Sequence, residues 1–268
     1  VTVTTARRAI VRDSLAMPAV VVSTTQLNPH MVRVRLHCDE IEKFDYAGPD
    51  HLVRVFLPPR PGAELHLPIG ARWWPEVCAM PEAVRPVVRN YTVRAIDRIT
   101  GELDIDFVLH GDEGPASSWA RRAVPGDKIG ILSDGARFEP PATTRRLLLV
   151  GDETALPAIS ATLEQLHPEI EALVLLEVDD VDWELELFCP PNAEIRWLHR
   201  APTAAPRGLR VLNELRSATV QPQDCYAWVA GESSLATSVR RHLVNERGFG
   251  KDQVYFCGYW RQPEITPR

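Results

Sequence analysis

The stretch "RPVVRNYTVRAIDRITGELDIDFVLHG", residues 85–111, reads as two strands joined by a turn. Leu103, Ile105, Phe107 and Leu109 alternate with Asp104, Asp106 and Val108, the period-two pattern of a half-buried antiparallel strand. "RITGE" turns the chain into it from a strand that carries Arg89, Tyr91 and Thr92 within four positions. On extended backbone Arg89 and Tyr91 project to one side and Asn90 and Thr92 to the other. A flat aromatic beside a guanidinium suits a ligand with a planar ring and a phosphate tail. The ring stacks on Tyr91, Arg89 grips the phosphate with two donors, and Thr92 offers a hydroxyl or amide at the ring edge. The same spacing also describes an ordinary cross-strand pair with a surface arginine.

The residues that follow sharpen the choice. In "HGDEGPASSWARRAVPGD", Gly114-Pro115-Ala116-Ser117-Ser118 precedes a short helical run, "SWARRA". A Gly/Ser turn opening a helix aims amide groups at an anion and lets backbone approach closely. Ser117 and Ser118 are equally suited to capping that helix, the commoner use of serine there. A ring-and-phosphate strand followed by a pyrophosphate-sized turn is more specific than either part, and Trp119, just after the turn, reads as core.

Outward from this segment, residues 18–138 read as short strands. "AVVVSTTQLNPHMVRVRLHC" is strand, turn at Asn28-Pro29, strand. "HLVRVFLPP" and "PGDKIGILSDGARF" add two more, and the spacing predicts a small closed barrel. Trp73 and Trp74 fall in a proline-rich loop and are assigned to loop packing. The tandem prolines of "EPPATTRR" mark a joint, with one domain over 1–140 and a second over 145–268. Beyond the joint, apolar strands ("RLLLVGDE", "EALVLLEVDD", "IRWLHR", "DCYAWVAGES", "QVYFCGYW") alternate with helices ("TALPAISATLEQL", "SSLATSVRRHLVNERG"). That is the pattern of a Rossmann-like parallel sheet wound with helices. A barrel followed by such a sheet divides the labour between a flavin and a nicotinamide in many oxidoreductases, an analogy of fold only.

Composition sets limits. The 268 residues carry a net charge of −6, against a nucleic-acid binder held by a basic surface. Any site for an anion is a local basic patch on an acidic chain. Five scattered cysteines with no CxxC or Cys/His cluster argue against zinc and iron–sulfur ligation and for free thiols in a reducing compartment. The first residues lack the apolar core of a signal peptide, and no apolar run has membrane-spanning length. A cytoplasmic location without membrane insertion is expected.

"RNYTVR", "DFVLHG" with "GPASSWA", "GDETALPAI" and "GYWR", in this order across nearly the whole chain, resemble the siderophore-interacting proteins. These are flavin-dependent ferric-siderophore reductases of the ferredoxin-reductase-like superfamily. The resemblance implies a six-stranded antiparallel β-barrel that binds FAD and an α/β domain of the NAD(P)H-binding type. It places Arg89, Tyr91 and Thr92 on the flavin ring and phosphate, and Val108 and His110 along the FAD. Ala116 and Ser117, after Gly114, meet the pyrophosphate. Thr154 is the α/β residue expected nearest the flavin. Trp260 either covers the flavin or its adenine or simply packs on a terminal strand.

The first turn of the α/β domain, "VGDETALPA", lacks the G-x-G-x-x-G cradle, and Asp152 with Glu153 puts carboxylates where phosphate is usually held. Asp179 and Asp180, after the second strand, either disfavour a 2′-phosphate and so favour NADH over NADPH, or are plain solvated charges. The implied reaction is reduction of an iron(III)–siderophore by flavin electrons drawn from NADH, NADPH or ferredoxin. The flavin carries the redox chemistry, so no protein acid or nucleophile is required. An open, basic substrate surface is expected, with Arg54 first and Arg121 or Arg122 in support. The rivals are a general flavin or ferredoxin-type oxidoreductase and a non-enzymatic siderophore-binding module.

Overall fold

The computed structural model describes residues 14–109, 114–201 and 205–262. The chain divides into two compact units, residues 1–137 and 138–268.

The first unit is an antiparallel sheet of β1 (Met17–Asn28), β2 (Met31–His37), β3 (Leu52–Leu57), β4 (Val87–Thr92), β5 (Ala95–Asp97), β6 (Glu102–Val108) and β7 (Lys128–Ser133). Their order is β4-β3-β7-β1-β2-β6-β5. The alternation read in the sequence sets which side chains face the core, but β6 is buried on both faces rather than half-buried. Leu103, Ile105 and Phe107 enter the core with Val34, Leu36, Val53 and Val55. The polar face of β6 is paired rather than solvated. Asp106 lies directly across from Arg33 and Asp104 across from Arg35. Each carboxylate takes a two-pronged guanidinium grip, at 2.7 and 2.9 Å for Arg33 and 2.8 and 2.9 Å for Arg35.

Seven strands stand where the resemblance implies six, and a bend accounts for the extra one. The sheet's two edges, β4 and β5, are consecutive in the chain and separated only by Val93 and Arg94. Val93 N–H bonds the His51 carbonyl on one side at 2.9 Å, and Arg94 N–H bonds the Asp104 carbonyl on the other at 2.8 Å. A single extended segment thus turns a corner and serves both edges. The sheet is barrel-like without a closing ladder.

The proline-rich loop holds a short helix, α1 (Trp73–Ala79), which seals the outer face of β3 and β7. Trp73 meets Phe56 edge-on at 5.6 Å, while Trp74 is 55% exposed. Glu76 folds back onto the amides of Ile69 and Gly70, which holds the loop against the helix. At the same unit's core His51 is fully buried beside the rings of Phe44 and Tyr46. Its Nδ1 accepts from Ala47 N–H at 3.0 Å, so Nε2 carries the proton and donates to Ser133 Oγ at 2.9 Å. Burial lowers the His51 pKa to about 4, so the ring stays neutral.

The second unit is a parallel sheet in the order β10-β9-β8-β11-β12. Its strands are β8 (Arg146–Asp152), β9 (Glu171–Val178), β10 (Ala193–His199), β11 (Cys225–Glu232) and β12 (Val254–Trp260). Helices α3 (Leu156–Glu164), α4 (Leu209–Ser217) and α5 (Ser233–Asn245) connect them; α2 (Pro115–Arg122) belongs to the first unit. Val211 and Leu215 of α4 join Leu235, Val239 and Leu243 of α5 in one core with Leu148, Val150, Ala227 and Val229 of the sheet. The order runs outward from β8 in one direction and resumes at β11 in the other, so the topological switch lies between those two strands. No helix among the described residues is long and apolar enough to cross a membrane.

Candidate functional site

The expected flavin residues of the first unit converge on three packed elements. Helix α2 lies against β2, β4 and β6. An aromatic row ties the corner together: Tyr91 to Phe107 at 4.3 Å between centroids, and Phe107 to Trp119 at 5.6 Å. Tyr91 pairs with Val53 and Arg89 with Val55, so both stand on the inner face of the β3–β4 pair, as the strand alternation requires. Burial pushes the Tyr91 phenol well above its ordinary range, with Arg89 pulling weakly the other way. Arg89 itself is exposed, and its guanidinium donates to the neighbouring Val88 carbonyl at 2.8 Å. Thr92 is buried at the strand's end, beside the corner at Val93. Val108 closes β6 and is buried.

Gly114 starts α2 with no side chain capping it, and Pro115 occupies the first turn. Ala116 and Ser117 are buried on the helix's inner side. The first amides of any helix have no intrahelical acceptor, so a start at a glycine N-cap offers donors suited to a phosphate. These residue types fit the FAD that the fold implies. His110 lies outside the described residues.

Arg54 stands on the opposite face from Arg89 and Tyr91. It pairs across the ladder with Asn90, donating to its side chain at 2.7 Å, and bonds Asp134 at 2.7 Å. Its guanidinium lies 4.9 Å over the Trp73 ring, and its side chain is 20% exposed. Arg121 and Arg122 are exposed in the last turn of α2, where the helix dipole favours positive charge.

In the second unit one carboxylate gathers two of the expected residues. Asp152, fully buried at the end of β8, accepts from Thr154 N–H at 2.9 Å and Thr154 Oγ1 at 2.6 Å through one oxygen. Its other oxygen accepts from Glu232 N–H at 2.7 Å and from the Trp260 indole at 3.0 Å. Arg207 lies 4.6 Å over the Trp260 ring and bonds Glu153 at 3.1 Å. Arg200, also buried, joins Asp179 at 2.6 Å and the Glu177 carbonyl at 2.9 Å, which offsets the charge that Asp179 was expected to present. Burial, then the neighbouring Asp152, raises the Glu153 pKa against the pull of both arginines. Glu177 is likewise raised by burial, against the amides of Gly208 and Val211. For Glu232 burial acts upward too, but bonds from Ser234, Gln262 and Leu235 outweigh it and hold the carboxyl below its ordinary range.

Sequence reasoning passed over Glu177, Arg200, Arg207 and Glu232. Glu232 before Ser233-Ser234 is legible in retrospect as a helix cap. The other three act across 21 to 54 residues of chain, and no local pattern announces them.

The sequence model of the siderophore-interacting FAD-binding domain matches residues 20–138, and that of the siderophore-interacting protein matches residues 144–263. The chain is 32% identical to the ferric vibriobactin reductase ViuB of Vibrio cholerae, over 88% of this chain and 86% of that one. It is 29% identical to the ferric acinetobactin reductase of Acinetobacter baumannii, over 69% of this chain and 64% of that one. The siderophore-interacting protein SipS from Aeromonas hydrophila superposes with a TM-score of 0.78 at 29% identity, covering 94% of this chain and 93% of that one. The ferredoxin reductase of carbazole 1,9a-dioxygenase shares the fold alone, with a TM-score of 0.67 at 14% identity over 92% of this chain and 70% of that one.

Proposed function

This chain belongs to the siderophore-interacting protein family and is a flavin-dependent reductase, and we propose that it reduces iron(III) within a siderophore chelate so that iron(II) is released. FAD, when bound, supplies the acceptance of electrons from a nicotinamide or ferredoxin and their single delivery to iron(III). Iron(II) is less charged and less hard than iron(III), so oxygen chelators hold it far more weakly and reduction is the release step.

The observation that carries this reading is the donor-rich corner at β4 and α2. Arg89 is an exposed cation on a chain of net charge −6, on the strand that carries Tyr91 of the aromatic row, and helix α2, which packs against that strand, begins at a glycine N-cap. Arg89 would hold phosphate, Tyr91 would support the ring and Thr92 would meet its edge. Val108 and His110 would flank the cofactor, and the Gly114, Ala116 and Ser117 backbone would take the pyrophosphate. For the chelate, Arg121 offers an exposed charge, with Arg122 beside it. Arg54, balanced by Asp134, offers direction more than net charge. The setting is a soluble compartment, in keeping with its reductase relatives, and we place it in the cytoplasm.

The test is an absorption spectrum of the purified protein, then anaerobic photoreduction and addition of a ferric hydroxamate or ferric catecholate with an iron(II)-specific dye. Flavin absorbance should recover as the dye colours. Flavin that reoxidises with simple dyes but ignores both chelates would indicate a general flavin reductase. A protein that neither contains nor takes up FAD would overturn the assignment of β4.

A further inference from the structure

In a doubly wound sheet the pyrophosphate of a dinucleotide is held by helix amides at the carboxyl ends of the strands. At that edge of this α/β unit the amides are already engaged. β8 ends in Asp152, β9 carries Glu177 at its penultimate position and β11 ends in Glu232; their exposures are 0, 0 and 3%. Asp152 takes Thr154 N–H in the turn that leads into α3. Glu177 takes Gly208 N–H at 2.7 Å and Val211 N–H at 3.3 Å at the start of α4. Glu232 takes Ser234 N–H at 2.6 Å and Leu235 N–H at 3.3 Å at the start of α5. Each of the three helix entries is thus turned onto a carboxylate of the protein's own sheet.

The glycines at this edge serve the same arrangement. In a dinucleotide fingerprint they let backbone approach phosphate. Here a Cβ on Gly231 would sit 2.7 Å from the Asp152 carboxyl carbon, at a φ of +137° that a side chain rarely adopts. A Cβ on Gly151 would sit 2.4 Å from that of Ala155. One glycine makes room for the carboxylate and the other for close strand–helix packing. The basic recess of about 280 Å³ beside them is lined by Arg200 and Arg207, with Asp179 and Gln262. Both arginines are committed, Arg200 to Asp179 and the Glu177 carbonyl, and Arg207 to Glu153 and the Trp260 ring.

We infer that Asp152, Glu177 and Glu232 shut this edge to a dinucleotide pyrophosphate, so that a nicotinamide donor is used through its ring alone. A phosphate could enter only by displacing a buried carboxylate from its amides, leaving that charge unpaired while adding two more. The residues therefore do not fit the dinucleotide that the fold implies. This inference rests on the flavin-reductase reading, because the donor's use is read through the flavin.

The experiment uses the FAD-loaded full chain. Anaerobic flavin bleaching is followed against NADH, NADPH and reduced nicotinamide mononucleotide, and ADP-ribose is titrated calorimetrically into the same protein. Rates should rise linearly with each donor, with slopes within about threefold, since a screened exposed phosphate contributes well under ~1 kcal/mol. ADP-ribose should give no binding heat. Saturation with NADH or NADPH, a mononucleotide at least about tenfold slower, that is ~1.4 kcal/mol, or micromolar ADP-ribose binding would each overturn the inference. Photoreduced flavin that fails to reduce a ferric chelate would instead remove the reductase function and leave the ADP-ribose result standing.

Discussion

Two places in this protein have the raw material of a phosphate site, and they have opposite occupants. At the β4–α2 corner β4 carries an exposed Arg89, and α2, packed against it, starts at a glycine N-cap that has no side chain to offer. At the carboxyl edge of the parallel sheet, three helix entries are filled by Asp152, Glu177 and Glu232. The fold supplies amides in both places. What differs is whether the chain's own carboxylates reach them first, as they do at the sheet edge.

The comparison breaks hardest at Asp152. Asp152→Asn replaces one acceptor oxygen with a donor, which then faces either Glu232 N–H and the Trp260 indole or Thr154 N–H and Oγ1. Stability should fall by about 4 kcal/mol, two buried donors losing their acceptor. Urea unfolding checks the loss, and a changed Trp260 emission checks its origin.

The two units should also answer acid differently. His51 titrates near 6.5 when unfolded and near 4 in the fold, so between those values the unfolded chain binds the extra proton. Stability of the first unit should therefore fall with pH across that window, by up to about 3 kcal/mol. Glu153 and Glu177, raised by burial, act with the other sign: their contribution is present below the ordinary carboxylate pKa and is lost as pH climbs through the raised values. Denaturant titrations of the full chain at several values from pH 4 to 7 should show the antiparallel unit yielding first. A parallel unit that unfolds first on acidification would contradict this.

At the first corner, Arg89→Ala should weaken FAD retention on the order of 10- to 100-fold, the worth of a charge-assisted phosphate contact. Arg89→Lys should restore part of it, keeping the charge without the fork. Flavin fluorescence on dilution reads both. The mildest change is Thr154→Val, which removes one hydroxyl donor from Asp152 and leaves the amide. A loss of about 1 kcal/mol in thermal unfolding is expected.

Much of the fold was legible in the sequence because it is written in local periods. The alternation over 103–108, the turn at Asn28-Pro29 and the strand–helix alternation after the proline joint all appear as elements. Helix α1 was not legible, since its Trp73-Trp74-Pro75 start reads as loop; packing against Phe56 and the fold-back of Glu76 make it helical. Helix α4 is marked by no cap of its own, and its first amides rely on Glu177, more than thirty residues earlier. At the candidate site the sequence placed Arg89, Tyr91 and Thr92 on one strand and flagged the carboxylates of the first Rossmann turn. It did not foresee that Arg54 would be held by Asp134 and Asn90, or that Thr154 and Trp260 would share one acceptor.

By itself, then, the sequence determined the alternation of apolar and polar positions along the strands and the motifs of the family. All of these depend on residues within a few positions of one another, where backbone geometry dictates the pattern. Only the tertiary structure decided which charges are neutralised and which remain available. Those pairings join residues 36 to 108 positions apart, and in a low-dielectric interior each buried charge must find such a partner wherever the chain brings one.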